Sequence, residues 1–210
     1  FSEEVQLARS SRISEDRRVL MRILWVSGEA PPRFYLAGAR LEELAPNGFH
    51  KRDAERVTFQ EQGAFSDRLT IYPTGITTRN VFFPFRAVAF APGRVQCEGG
   101  TCYWSEEPPP VYDVWVARDL GKESLPVLPL PDALAEVGAY GREIAGHAPV
   151  SLQVQRLIRH LRSGYAATLE GLAIPPGVNP IHWFVFTGKR GNCEHFASAL
   201  AVMLRGSGIP

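Results

Sequence analysis

The sequence predicts an α+β chain: a β-rich, sandwich-like domain over residues 1–120, a Pro-rich linker over 121–132, and a helical region over 133–210. Two observations carry this. Short apolar runs with period-two alternation, separated by Gly, Pro and Asn, fill the first part. After Pro126, Pro129 and Pro131 the apolar residues recur at helical spacing instead.

Strand-like runs fall at residues 18–26, 33–38, 55–60, 67–73, 81–85, 88–90 and 111–117. Pro73 and Pro84 lie within two of them and suggest edge strands or bends, because proline cannot donate to a ladder. Past the linker, Asp132 is positioned to cap a helix over 133–145 with Leu134, Val137, Gly141 and Ile144 on one face. Ser151 is positioned to cap a second helix, where Val154, Leu157, Ile158 and Leu161 share a face. Residues 172–180 read as a Pro/Gly loop, and 181–186 as a compact apolar run of either type.

Composition narrows the function class. Of 210 residues, 45% are hydrophobic and 21% charged, which is ordinary for a globular chain. The net charge of +1, with no arginine stripe, gives no reason to expect a nucleic-acid partner. No apolar run reaches the roughly 18 residues of a membrane span. Phe1-Ser2-Glu3-Glu4 is neither a basic nor an apolar leader, and the chain starts without Met and stops at Gly208-Ile209-Pro210. Both ends suggest a piece of a longer protein.

The three cysteines divide into a pair and a single residue. Cys97 and Cys102 bracket the turn-rich stretch 98–101; they close a small disulfide in an oxidising compartment, or remain two thiols of a hairpin. Zinc fits less well, since no second ligand pair has the spacing to complete a site. Cys193 is left over. It follows the turn Gly188-Lys189-Arg190-Gly191-Asn192 and opens a helix running to about Arg205, with Cys193, Phe196, Ala197, Leu200, Met203 and Leu204 as the expected buried face. Gly206 and Gly208 are placed to end it.

That position suits a nucleophile. Cysteine attacks as the thiolate, and the N–H groups and positive dipole end at a helix N-terminus favour an anion. The same N–H groups can donate to the oxyanion formed when a thiolate adds to a carbonyl. The bland alternative is a small core residue on an apolar helix face. Around it, Asn192, Glu194, His195, Trp183 and Tyr165 are candidates to line a site. His195 is two positions from Cys193, about 200° around a helix, so a polar contact at the helix start suits it better than the role of general base. The same offset argues against a Cys193/His195 metal pair. Glu194 reads first as favourable charge at a helix start, Trp183 as core, and Tyr165 as a core tyrosine with a satisfied hydroxyl. His50, His147 and His160 read as surface residues.

The stretch Gly191-Asn192-Cys193-Glu194-His195-Phe196-Ala197-Ser198-Ala199-Leu200-Ala201-Val202-Met203-Leu204-Arg205, followed by Gly208-Ile209-Pro210, closely resembles the nucleophile segment of bacterial transglutaminase-like proteins. The run 181–186 resembles the family's stretch before the turn. Tyr165-Ala166-Ala167-Thr168-Leu169 resembles its Tyr-x-Tyr-Thr-Leu, with Ala167 in place of an aromatic. The resemblance is strong over 181–210 and weaker over 149–180.

This resemblance implies that residues 133–210 are the helical first part of a papain-like, transglutaminase-like domain, truncated. The β-rich half resembles the extracytoplasmic region of membrane-anchored members, chiefly through Phe34-Tyr35-Leu36-Ala37-Gly38. It implies a periplasmic location and a parent anchored by transmembrane segments outside this chain. It matches Cys193 to the nucleophile of a Cys-His-Asp triad whose His and Asp follow Gly-Ile-Pro, beyond Pro210. The implied chemistry is acyl transfer to an amine or water through a thioester on a protein or peptide substrate, with no cofactor, and the fragment alone is expected to be inactive. The alternatives are a hydrolase of the cysteine protease or amidase kind, or a non-catalytic binding or assembly module on the same fold.

Overall fold

The computed structural model describes residues 4–7, 18–27, 35–45, 48–51, 57–59, 67–84, 87–116 and 127–210. In chain order the strands are β1 (Glu4–Gln6), β2 (Met21–Ser27), β3 (Leu36–Ala37), β4 (Glu43–Ala45), β5 (Gly48–His50), β6 (Val57–Phe59), β7 (Asp67–Pro73), β8 (Phe83–Pro84), β9 (Ala87–Ala91), β10 (Val95–Glu98), β11 (Thr101–Trp104) and β12 (Tyr112–Val116). A 3-10 turn, Asp132–Leu134, leads into α1 (Ala135–Ala145) and then α2 (Val150–Gly164). The short β13 (Ala166–Ala167), α3 (Pro180–Trp183), a π-helical turn (Phe184–Gly188), β14 (Arg190–Gly191) and α4 (Cys193–Gly206) complete the chain. Strands followed by helices make the fold α+β, as the periodicity predicts.

The described elements fall into two compact units. The first is all β: a four-stranded antiparallel sheet ordered β2-β7-β12-β9, a three-stranded sheet ordered β11-β10-β6, and the pair β3-β8. The register Tyr112↔Ile71 and Val114↔Leu69 puts these four side chains on one face, while Asp113 and Trp115 alternate to the other. The buried face meets Val95, Cys97, Cys102 and Trp104 of the second sheet in one core. Tyr112 brings a hydroxyl into that core and satisfies it twice: it donates to the Phe82 carbonyl at 2.9 Å and accepts from the Phe82 N–H at 3.1 Å. Burial pushes its pKa up to about 12. Cys97 and Cys102 sit directly opposite in the β10–β11 ladder, with Cα atoms 4.0 Å apart, and form a disulfide. Of the two readings open for this pair, the structure adopts the bonded one.

The second unit combines the sheet β1-β5-β4 with the helices. Its centre is the crossing of α1 and α4. A Cβ on Gly141 would stand 2.6 Å from the Met203 Cα, and one on Gly138 would stand 3.2 Å from the Gly206 Cα, so the two backbones meet with no side chain between them. Arg142 Nε donates to the Gly206 carbonyl at 2.9 Å and satisfies one of the last acceptors of α4. Phe49 of β5 is buried beneath the Arg205 guanidinium, 5.7 Å from its ring centroid.

Several local expectations need correction. Asp132 lies in the 3-10 turn and makes no capping bond, and α1 starts at Ala135. Ser151 lies inside the first turn of α2, whose N-cap is Pro149. Proline before a helix fixes an extended entry without a side-chain cap. Pro73 ends β7, an interior strand of its sheet rather than an edge; Pro84 sits in the two-stranded β3-β8, on an edge strand as expected. The expected positions 33, 34, 55, 56, 60, 85 and 117 lie outside the described residues.

The largest correction concerns α4. Its buried residues are His195, Ser198, Ala199, Val202, Met203 and Gly206. Of the expected face only Met203 is buried; Cys193 and Ala197 are exposed, and Phe196, Leu200 and Leu204 are half-buried. The inward face is set instead by backbone contact with α1, where Gly141 meets Met203 and Gly138 meets Gly206.

Candidate active site

The site grows from a segment that is tied down at several points. Asn179 caps α3, accepting from the N–H groups of Ile181 and His182 at 2.9 and 3.2 Å, with Pro180 at the first helical position. The chain then passes through the π-helical turn and closes it at Lys189, whose φ of 47° is left-handed and whose N–H donates to the Phe184 carbonyl at 3.0 Å. Gly188 abuts the Trp183 ring so closely that no Cβ fits there. β14 pairs in parallel with β13: Ala166 N–H donates to Lys189 O at 2.8 Å, and Thr168 N–H to Gly191 O at 2.9 Å. The Tyr165 hydroxyl adds a third tie, donating to the Val185 carbonyl at 2.9 Å.

Phe184 is fully buried at the centre of this arrangement. Its ring lies 5.0 Å from Tyr165, 5.0 Å from Phe196 and 5.8 Å from His195. Burial beside these rings pushes the Tyr165 hydroxyl up to about 12, and the Tyr140 phenol adds to the effect. His160, expected at the surface, is half-buried: its Nε2 is 3.2 Å from the Tyr140 hydroxyl, and burial, with the Lys189 charge, lowers its pKa. His182 instead pairs with Glu136 at 2.8 Å.

Out of this base the chain turns into α4. Asn192 is the N-cap, and its side-chain oxygen accepts from Glu194 N–H at 3.1 Å and His195 N–H at 3.3 Å. Cys193 is the first helical residue; its thiol is exposed and free. Glu194 is exposed in the first turn, where its charge suits the positive end of a fourteen-residue helix. His195 points the other way and is 4% exposed. Its Nδ1 lies 2.7 Å from Asn192 Oδ1, and its Nε2 has no hydrogen-bond partner. Burial lowers its pKa, while the Leu7 carbonyl and Glu194 pull more weakly the other way; the Leu7 carbonyl acts on the ring without completing a bond to Nε2.

The sequence expected several main-chain amides to converge on the sulfur. Two of those amides are taken by Asn192, and among the described residues the N–H of Cys193 itself has no acceptor. Among the described residues, too, no histidine hydrogen-bonds Cys193, and no group of three or more His, Cys, Asp and Glu has the placement to hold a metal ion. The candidates Asn192, Glu194 and His195 meet at the start of α4, and Tyr165 joins them through Phe184 and Phe196. Trp183 packs on Gly188. Reading 188–192 as a turn misses the Asn192 cap, although Asn immediately before a helical run is the ordinary signal for one.

The model of the Transglutaminase-like superfamily matches residues 138–210. This segment is transglutaminase-like. The match begins inside α1 and takes in the whole of α4, so Cys193 and its cap lie within the transglutaminase-like part. No curated protein matches the chain. Two crystal structures of the periplasmic domain of TgpA from Pseudomonas aeruginosa resemble it over its full length. One, bound to ethylmercury, is 21% identical with a TM-score of 0.68 and is covered over 80% of its own chain. The other is 20% identical with a TM-score of 0.69, covered over 78%. At that identity the likeness shows the fold alone: strand-rich first, helices after. Among the described residues no helix is long and apolar enough to cross a membrane.

Proposed function

We propose that Cys193 is the nucleophile of a transglutaminase-like cysteine acyl transfer, acting outside the cytoplasm in a membrane-anchored parent. The observation that carries this is an exposed, unpaired thiol at the first position of a capped fourteen-residue helix, inside the segment that matches the superfamily. In this reading the thiolate adds to the carbonyl carbon of a peptide carboxamide. The oxyanion receives the N–H of Cys193. Collapse expels the amine as ammonia, which takes a proton from the general acid, and leaves a thioester. An amine or water then releases the acyl group and restores the thiol. The proton carrier is a histidine on a strand after Pro210, oriented by an aspartate; the chain described here supplies the nucleophile and the oxyanion donor, and by itself turns over no substrate.

The test uses the full-length parent with a glutamine-containing peptide. Turnover and a peptide-acyl adduct on Cys193, read by mass spectrometry, are expected in the unaltered protein, and neither in Cys193→Ala. Full turnover in Cys193→Ala would put the nucleophile elsewhere. Absence of any adduct on the unaltered protein with glutamine-containing and backbone-amide peptides alike would favour the binding module.

A further inference from the structure

We propose that His195 is a positioning residue for Cys193: its imidazole donates from Nδ1 to the Asn192 side-chain oxygen, and that oxygen holds the first turn of α4 on which the sulfur stands. The proposal deepens the nucleophile reading and rests on it for its catalytic meaning.

The hydrogen-bond pattern fixes the chemistry of the clasp. The Asn192 atom that accepts from two backbone N–H groups has to be the amide oxygen, since the amide nitrogen has no lone pair to offer. The Nδ1 facing the same atom at 2.7 Å is therefore the protonated nitrogen of the ring. Of the three donors on this oxygen, the imidazole is nearest, at 2.7 Å against 3.1 and 3.3 Å.

The ring has little freedom to do anything else. A Cβ on Gly191 would stand 2.8 Å from His195 Cβ and 2.9 Å from Cγ, so the absence of a side chain at Gly191 makes room for it. Phe184 walls the pocket, and the ring is almost wholly buried. Nε2 is buried and unpartnered, a cost that a leucine in the same pocket would not carry. What the imidazole offers over leucine is the Nδ1–H. Burial favours the neutral ring, against weaker pulls from Glu194 and the Leu7 carbonyl, so a single ring hydrogen is directed at Asn192.

The experiment compares His195→Leu, His195→Asn and His195→Gln in this chain, each checked for native circular dichroism. Amide hydrogen exchange at Glu194 and iodoacetamide labelling of Cys193 are the readouts. With Cys97 and Cys102 bonded to each other, Cys193 is the one free thiol. An Asn amide nitrogen takes the place of Nδ1, whereas a Gln amide reaches the place of Nε2. Glu194 exchange is expected to rise about tenfold in the Leu and Gln variants, the equivalent of one hydrogen bond, and to stay within about twofold of the unaltered chain in His195→Asn. The labelling rate should depart from the unaltered value in Leu and Gln and return to it in Asn. Equal behaviour of the Asn and Gln variants, or an unaltered exchange rate in a folded His195→Leu, would overturn the clasp. Ring 15N spectra of the unaltered chain decide the matter if the variants fail to fold: hydrogen on Nδ1 supports it, and hydrogen on Nε2 alone overturns it. These readouts need no substrate, so loss of the clasp and persistence of turnover in Cys193→Ala are separate failures.

Discussion

Replacing Gly206 with alanine should disturb the seating of α4 more than any other single-methyl change in the helix. The added Cβ would run into the Cα, carbonyl carbon and oxygen of Gly138. All three are backbone atoms, so no side-chain rotation relieves the clash and the two helices must part. Overpacking of this kind costs about 1–3 kcal/mol, and alanine's better helix propensity returns at most about 1 kcal/mol at the last residue of the helix. The net loss is therefore about 1–2 kcal/mol, which lowers the melting temperature of a chain of this size by about 2–8 °C. Gly164 is the control. It also ends a helix, yet a Cβ there meets nothing within 4 Å. Gly164→Ala should raise the melting temperature by about 1–3 °C through propensity alone. Thermal unfolding followed by circular dichroism reads both variants. A Gly206→Ala chain that melts at or above the unaltered temperature would refute the claim that α1 and α4 meet backbone to backbone.

Two further outcomes follow from buried polar groups. Tyr112→Phe removes two hydrogen bonds to Phe82 in the β core, at about 1 kcal/mol each. The midpoint of urea unfolding should fall with the slope unchanged. His195 has a pKa lowered from 6.5 because burial disfavours its charge, so the unfolded chain binds its proton first. Its contribution to stability is full above pH 6.5 and is lost progressively as the pH falls from there through the folded value. His195→Leu should flatten that part of the stability–pH curve, measured by denaturant unfolding at pH 7.5 and at pH 5.

Much of the architecture was legible in the sequence where one period dominates. The run 67–73 alternates cleanly and forms β7 with the same bounds; the helix opening at Cys193 runs to Gly206, where Gly206 and Gly208 are placed to end it. The same helix shows where the signal fails. Side-chain size points to Phe196, Leu200 and Leu204 as its inner face, whereas the glycines of α1 meet Met203 and Gly206, and Ser198, Ala199 and Val202 are buried with them. Hydrophobicity alone cannot report a contact made by backbone. β1, β4 and β5, each three residues long, are too short to show a period, and β1 joins the other two only by pairing with β5, far along the chain. At the site, the segment resemblance singles out Cys193, but the Asn192–His195 bond crosses a single helical turn and is visible only once the side chains are in place.

The two ties from β13 to the turn before Cys193 have a bearing on how such a protein changes over generations. Residues 169–178 leave that short ladder at Thr168 and return at Asn179, the cap of α3, so both feet of the loop stand on the platform that carries the thiol. None of those ten residues is buried. Doubling the length of such a loop costs only about 0.6 kcal/mol in closure entropy. Insertions there are therefore nearly neutral for folding, and the loop can be rewritten without shifting the helix start.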